Sequence, residues 1–166
     1  RHTPFNLCDL LRLRCSACSV LCMPKDNRKK HSDEMSGLHG FYVQVLKDIL
    51  ILTGIGFSES GTGYNASFIN GEINLAWLFD FRDLKLTLMM YKTTGEKRNL
   101  GTEHFWYSDE LPKKLENEFL PKLDEMLSAQ GFILSTESKQ AAADKIALFH
   151  ASLQKKKGFL AGLFGR

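Results

Sequence analysis

The chain has 166 residues, 43% of them hydrophobic and 25% charged, which is enough for one domain with a packed core. Its apolar residues never form the run of 18 or so that a membrane-crossing helix needs, which argues against that class. The net charge of +3 is unevenly spread: residues 1–31 carry +5 and the rest carries −2, so the body is near neutral behind a basic leader.

The leader comes first in chain order. All four cysteines, Cys8, Cys15, Cys18 and Cys22, fall within it. Residues 1–22 mix Arg, Cys, Ser and Leu without a hydrophilic face, and Met23-Pro24 reads as a natural start. The stretch before residue 23 therefore reads as non-native. A signal peptide over Leu10–Cys22 is the competing idea, but Arg12 and Arg14 interrupt its apolar region. Cys15 and Cys18 have the bite of a zinc knuckle, with Cys22 and His31 as third and fourth ligands. No second close pair completes the zinc signature. The same cysteines share one helical face with Leu11 and read equally as a small apolar seam. No cofactor is expected, with zinc as the alternative. A body without cysteine has no disulfide and suits a reducing compartment, so a cytoplasmic location is expected.

Residues 24–31 read as a polar basic linker, ending the leader at residue 31. Its Lys25, Arg28, Lys29 and Lys30, with Lys97 and Arg98 on a later loop, are the residues that would contact nucleic-acid phosphates. From residue 32 the pattern is that of a single domain, to residue 157. Leu38, Phe41, Tyr42, Val45, Leu46, Ile49 and Leu52 recur at helical spacing, predicting a helix over about 38–53 that Gly54 and Gly56 end. Residues 57–63 read as a Ser/Gly-rich loop. The helix–loop–strand order is the reverse of a phosphate cradle.

Residues 64–81 read as a β-hairpin. Asn70-Gly71 is a favoured pair for a two-residue turn, and centring the turn there sets Phe68 against Ile73, Ala66 against Leu75 and Tyr64 against Trp77. A third strand follows, with Leu84, Leu86, Leu88 and Met90 on one face and Met89 and Tyr91 on the other. Residues 93–101 read as a loop and His104–Tyr107 as a short fourth strand.

A helix over about 109–130 is capped by Ser108 or Asp109, carries the stripe Leu111, Leu115, Phe119, Leu123, Met126 and Leu127, and is kinked or split at Pro121. The last helix, about 137–157, shows Ala142, Ile146, Phe149 and Leu153 on one side and closes at Gly158. An apolar tail, residues 158–166, places Phe159, Leu160, Leu163 and Phe164 at helical spacing.

The fold class is α+β: an antiparallel sheet of three to four strands, a meander containing the hairpin, packed against one N-terminal and two C-terminal helices. The order of elements resembles that of small dimeric secretion chaperones. Those carry an extra helix between the third and later strands, where this chain has a loop, so no residue role is transferred. No complete catalytic motif is present. The leading reading is a non-enzymatic protein–protein interaction module, adaptor or chaperone-like, that self-associates as a homodimer. Its partner-binding residues are Leu78, Met89 and Tyr91 on the second sheet face and Phe159, Leu160, Leu163 and Phe164 in the tail. Membrane contact by that tail is the lesser reading. Nucleic-acid binding through the leader is the alternative, and a hydrolase assembled around His104 and Asp80 the third.

Overall fold

The computed structural model describes residues 25–94 and 98–164, with side chains described from 26 to 155 within those bounds. Helix α1 spans Lys25–Lys47 and runs directly into a π-helical segment, Asp48–Leu52. Five strands follow: β1 Ser58–Thr62, β2 Asn65–Asn70, β3 Ile73–Asp80, β4 Lys85–Lys92 and β5 Asn99–Trp106. Helices α2, Leu111–Ser128, and α3, Thr136–Phe164, complete the order. The sheet is a meander, β1-β2-β3-β4-β5, antiparallel at every pairing. No helix interrupts the strands.

The helices and one face of the sheet enclose the core. From α1 come Met35, Leu38, Tyr42, Val45 and Leu46; from the sheet Phe68, Leu75, Trp77, Leu86, Leu88, Met90 and Phe105; from α2 its whole expected stripe. The apolar periodicity of these segments reflects that burial. Helix α2 is a single element through Pro121. The carbonyl that the missing N–H leaves free belongs to Asn117; both residues are exposed, so water can satisfy it. The chain enters α2 through Glu110, and no side chain caps it.

Several expectations need correction. Residues 25–31 are helical rather than a linker. Leu52 leaves the core stripe and is 77% exposed, while Leu50 is fully buried. The π-helical segment explains the exchange: its wider i→i+5 turn sets Ile49 and Leu50 on the buried side and leaves Leu52 exposed. Residues 57–63 contain a strand, β1, at the sheet edge. Gly61 there is at φ +117, and a Cβ on it would lie 2.2 Å from the Asn65 carbonyl oxygen, so only glycine fits. The fifth strand starts at Asn99, shortening the loop before it. Helix α3 runs through Gly158 to Phe164, since one interior glycine weakens a helix by only about 1 kcal/mol.

The hairpin turn is one residue later than expected. Asn70 pairs with Ile73, leaving Gly71 and Glu72 as the turn, so Phe68 faces Leu75 and Ala66 faces Trp77. Gly71 is at φ +55, as that turn requires. Moving a turn centre by one residue shifts the pairing by two, an even number, so every side chain keeps its face.

Candidate interaction face and interhelical cavity

Strand alternation decides what the second sheet face carries. Residues opposite one another across the strands run Ile69–Asn74–Tyr91, Ser67–Ala76–Met89–Thr102 and Leu78–Thr87–His104, with Lys85 opposite Asp80 and Trp106. None of their apolar members belongs to the core cluster or packs against it. Leu78, Met89 and Tyr91 are half-buried, shielded by their neighbours rather than fully exposed, as are Ile69 and Trp106. Between them Ser67, Asn74, Ala76 and Thr87 are buried. The face mixes apolar and polar side chains, with Ser58, Ser60 and Thr62 along the β1 edge and Thr102, His104 and Trp106 along the β5 edge.

Polar groups on this face are tied to one another. The Asn74 Nδ2 donates to the Tyr91 hydroxyl at 2.8 Å, and the Thr87 hydroxyl lies 3.0 Å from His104 Nδ1. Lys85 sits over the Trp106 ring, 4.8 Å from its centre. One acceptor is left over: the buried Oδ1 of Asn74 has no partner among the described residues.

Of the other sites expected from sequence, only some members fall among the described residues. Arg28 donates to the Arg82 carbonyl at 2.6 Å, at the β3–β4 turn. Arg98 lies at the opposite end of β4, a strand length of about 26 Å away. Lys29 and Lys30 are exposed on α1. The Lys25 side chain and Lys97 lie outside the described residues, as do Cys15, Cys18, Cys22 and the tail side chains of Phe159, Leu160, Leu163 and Phe164. His31 is described: its Nδ1 lies 2.5 Å from the Tyr107 hydroxyl. Among the described residues no cluster of His, Cys, Asp and Glu could hold a metal. Asp80 accepts from the main-chain N–H of Arg82, 2.9 Å, and of Asp83, 3.2 Å, and so caps the turn. His104 is two strands away, about 10 Å across the sheet, so the two form no catalytic pair.

A second feature was not legible from sequence. Helix α1, the turn into α2, and α3 enclose a cavity of about 380 Å³. At its wall Tyr107 contacts His31, and the Glu34 carboxylate lies 3.5 Å from the same hydroxyl. Burial, then the charges of Glu34 and Asp109, push the Tyr107 hydroxyl up to about 12. His150, also at the wall, bonds through Nε2 to the buried Tyr42 hydroxyl at 3.0 Å, and burial holds its pKa below the usual value. His150 adjoins Phe149 on the helix stripe, where nothing in the sequence marks it as different from an ordinary core position.

No helix of the described residues is long and apolar enough to cross a membrane. No protein-family model, curated protein or solved structure matches this chain.

Proposed function

We propose that the chain is a non-enzymatic protein-binding module, adaptor or chaperone-like, in which two copies associate through the second face of the sheet. One observation carries this reading: Ile69, Ala76, Leu78, Met89, Tyr91 and Trp106 give the second sheet face six apolar side chains outside the core cluster, interleaved with Ser67, Asn74 and Thr87. Met, Tyr and Trp are among the residues enriched at protein interfaces. A sheet face can pack on a copy of itself at about 10 Å across a two-fold axis. The body's lack of cysteine fits work in a reducing compartment such as the cytoplasm. Sedimentation equilibrium tests the proposal. A species of twice the 18.8 kDa chain mass is expected. A strict monomer at high concentration, with no binding of a hydrophobic dye, would overturn it.

A further inference from the structure

The two edges of the sheet are finished differently. Along β5, Lys114 Nζ donates to the His104 carbonyl at 3.4 Å, Leu100 is an extra residue that interrupts the pairing at Met90 and Tyr91, and Met126 of α2 packs on Gly101. A lysine, a bulge and a covering helix are devices that keep an edge strand from pairing with another chain. Strand β1 has none of them. It contains no lysine or proline, its register to β2 is unbroken, and all five of its residues are exposed. Its single charge, Glu59, is matched by Lys47 of α1 at 2.8 Å.

The register shows which main-chain groups β1 leaves open. Asn70 and Ile73 flank a two-residue turn, so they exchange both of their hydrogen bonds. Bonded and unbonded pairs alternate along an antiparallel ladder, so Phe68 and Ala66 also direct their groups at β3. Their partners on β1, Glu59 and Gly61, therefore direct theirs at the open edge. No main-chain bond outside the ladders takes up these groups among the described residues.

We propose that this edge pairs with β1 of a second copy, antiparallel, across a two-fold axis through Ser60. Glu59 then pairs with the partner's Gly61, and Gly61 with the partner's Glu59, which uses every open group on both strands. The strand is self-complementary about its centre. Each Glu59 carboxylate lies beside a residue without a side chain, so like charges do not face. Ser60 lies opposite the partner's Ser60 and Ser58 opposite the partner's Thr62, hydroxyl pairs that favour cross-strand contact. This contact prolongs the sheet sideways, whereas the face contact stacks two sheets, so neither requires the other. It buries well under the roughly 1,200 Å² of a standard interface, so the copies exchange rapidly and the pair is read by trapping.

The test is a cysteine scan of β1 in the full chain carrying Cys8→Ser, Cys15→Ser, Cys18→Ser and Cys22→Ser. Unbonded residues opposite one another have Cα atoms about 4.5 Å apart, within disulfide reach. Only Ser60 meets its own counterpart in that way; Ser58 and Thr62 lie four residues from theirs, about 14 Å. On mild oxidation at high concentration, Ser60→Cys should form a covalent dimer at least about tenfold faster than Ser58→Cys or Thr62→Cys. Stacked faces hold their strands about 10 Å apart and give no such preference. Glu59→Pro removes an N–H that no ladder bond uses, so β1 keeps its place while the Ser60→Cys link is lost. The same order of rates is expected with Leu78→Lys and Met89→Lys present, which separates a failure of the edge from a failure of the face. In the parent chain the amide protons of Glu59 and Gly61 should exchange more slowly as concentration rises. The proposal is overturned if Ser60→Cys links no faster than its neighbours, which would leave the edge to an extended segment of another protein. It is equally overturned if a folded Glu59→Pro chain links at the parent rate, or if exchange at Glu59 and Gly61 is independent of concentration.

Discussion

His39 and Trp77 each hold the other's main-chain carbonyl. The indole Nε1 donates to the His39 carbonyl at 3.2 Å, and His39 Nε2 donates to the Trp77 carbonyl at 3.1 Å. The two rings lie parallel, 6.2 Å apart. This reciprocal pair joins the middle of α1 to the central strand and fixes how the helix lies on the sheet. Trp77→Phe removes one bond and part of a fully buried ring. It should lower stability by about 2–3 kcal/mol, about 1 from the hydrogen bond and the rest from lost packing. Urea unfolding measures it, and a loss under about 0.5 kcal/mol would show that the lock contributes little.

Acid should weaken the fold through two histidines. His39 and His150 are buried, and burial depresses the pKa of each below its ordinary value of about 6.5. The sign follows from linkage. Above about pH 6.5 both states are neutral and stability is level. Below it the unfolded chain takes up protons that the folded chain refuses, so stability falls with pH. Each histidine contributes a slope of at most about 1.4 kcal/mol per pH unit. Denaturation midpoints between pH 7.5 and 5 should decline, and His39→Gln should flatten the slope. A flat profile down to pH 5 would contradict both assignments.

Sequence was most informative where burial imposes a period. Leu86, Leu88 and Met90 alternate because one face of β4 is core, and the α2 stripe recurs because the other side of that helix meets water. The hairpin faces survived a misplaced turn because the pairing moved by two residues. Strand β1 was hidden for the opposite reason. All five of its residues are exposed, so it is held by main-chain bonds to β2 that no side-chain pattern records. The π-helical segment was equally hidden, since the pattern 45, 49, 52 fits an ordinary helix until Leu50 proves to be the buried residue. The cavity was illegible because it depends on three segments, near residues 37, 109 and 150, meeting in space.

Leu84 is fully buried with φ +48, a left-handed conformation that a leucine rarely adopts. The conformation costs about 1–2 kcal/mol, and burying the side chain returns about 1.5–3, so burial prevails. The balance predicts an inverted order of substitutions. Leu84→Gly loses the side chain but also the strain, while Leu84→Ala loses the side chain and keeps the strain. Glycine should therefore be the milder change by about 1 kcal/mol. Thermal melts of the two variants decide it, and alanine proving the more stable would mean that the backbone carries no such strain.

The sheet face offers the sharpest separation between folding and association. Leu78 and Met89 sit on neighbouring strands of the second sheet face, outside the core cluster. A pair of lysines there keeps the face pleated and hydrated, so Leu78→Lys with Met89→Lys should change monomer stability by less than about 1 kcal/mol. In a dimer joined by that face, the same two changes bury four unpaired ammonium groups across the two-fold axis. Each buried unpaired charge is strongly unfavourable, so dissociation should strengthen by at least about a hundredfold. The control is Lys29→Glu with Lys30→Glu on α1, which lies on the other side of the sheet and should leave association unchanged. Light scattering over a dilution series reads all three proteins. A dimer that persists in the Leu78→Lys, Met89→Lys protein would place the interface elsewhere, because no geometry of two packed sheet faces can hide four lysines at their centre.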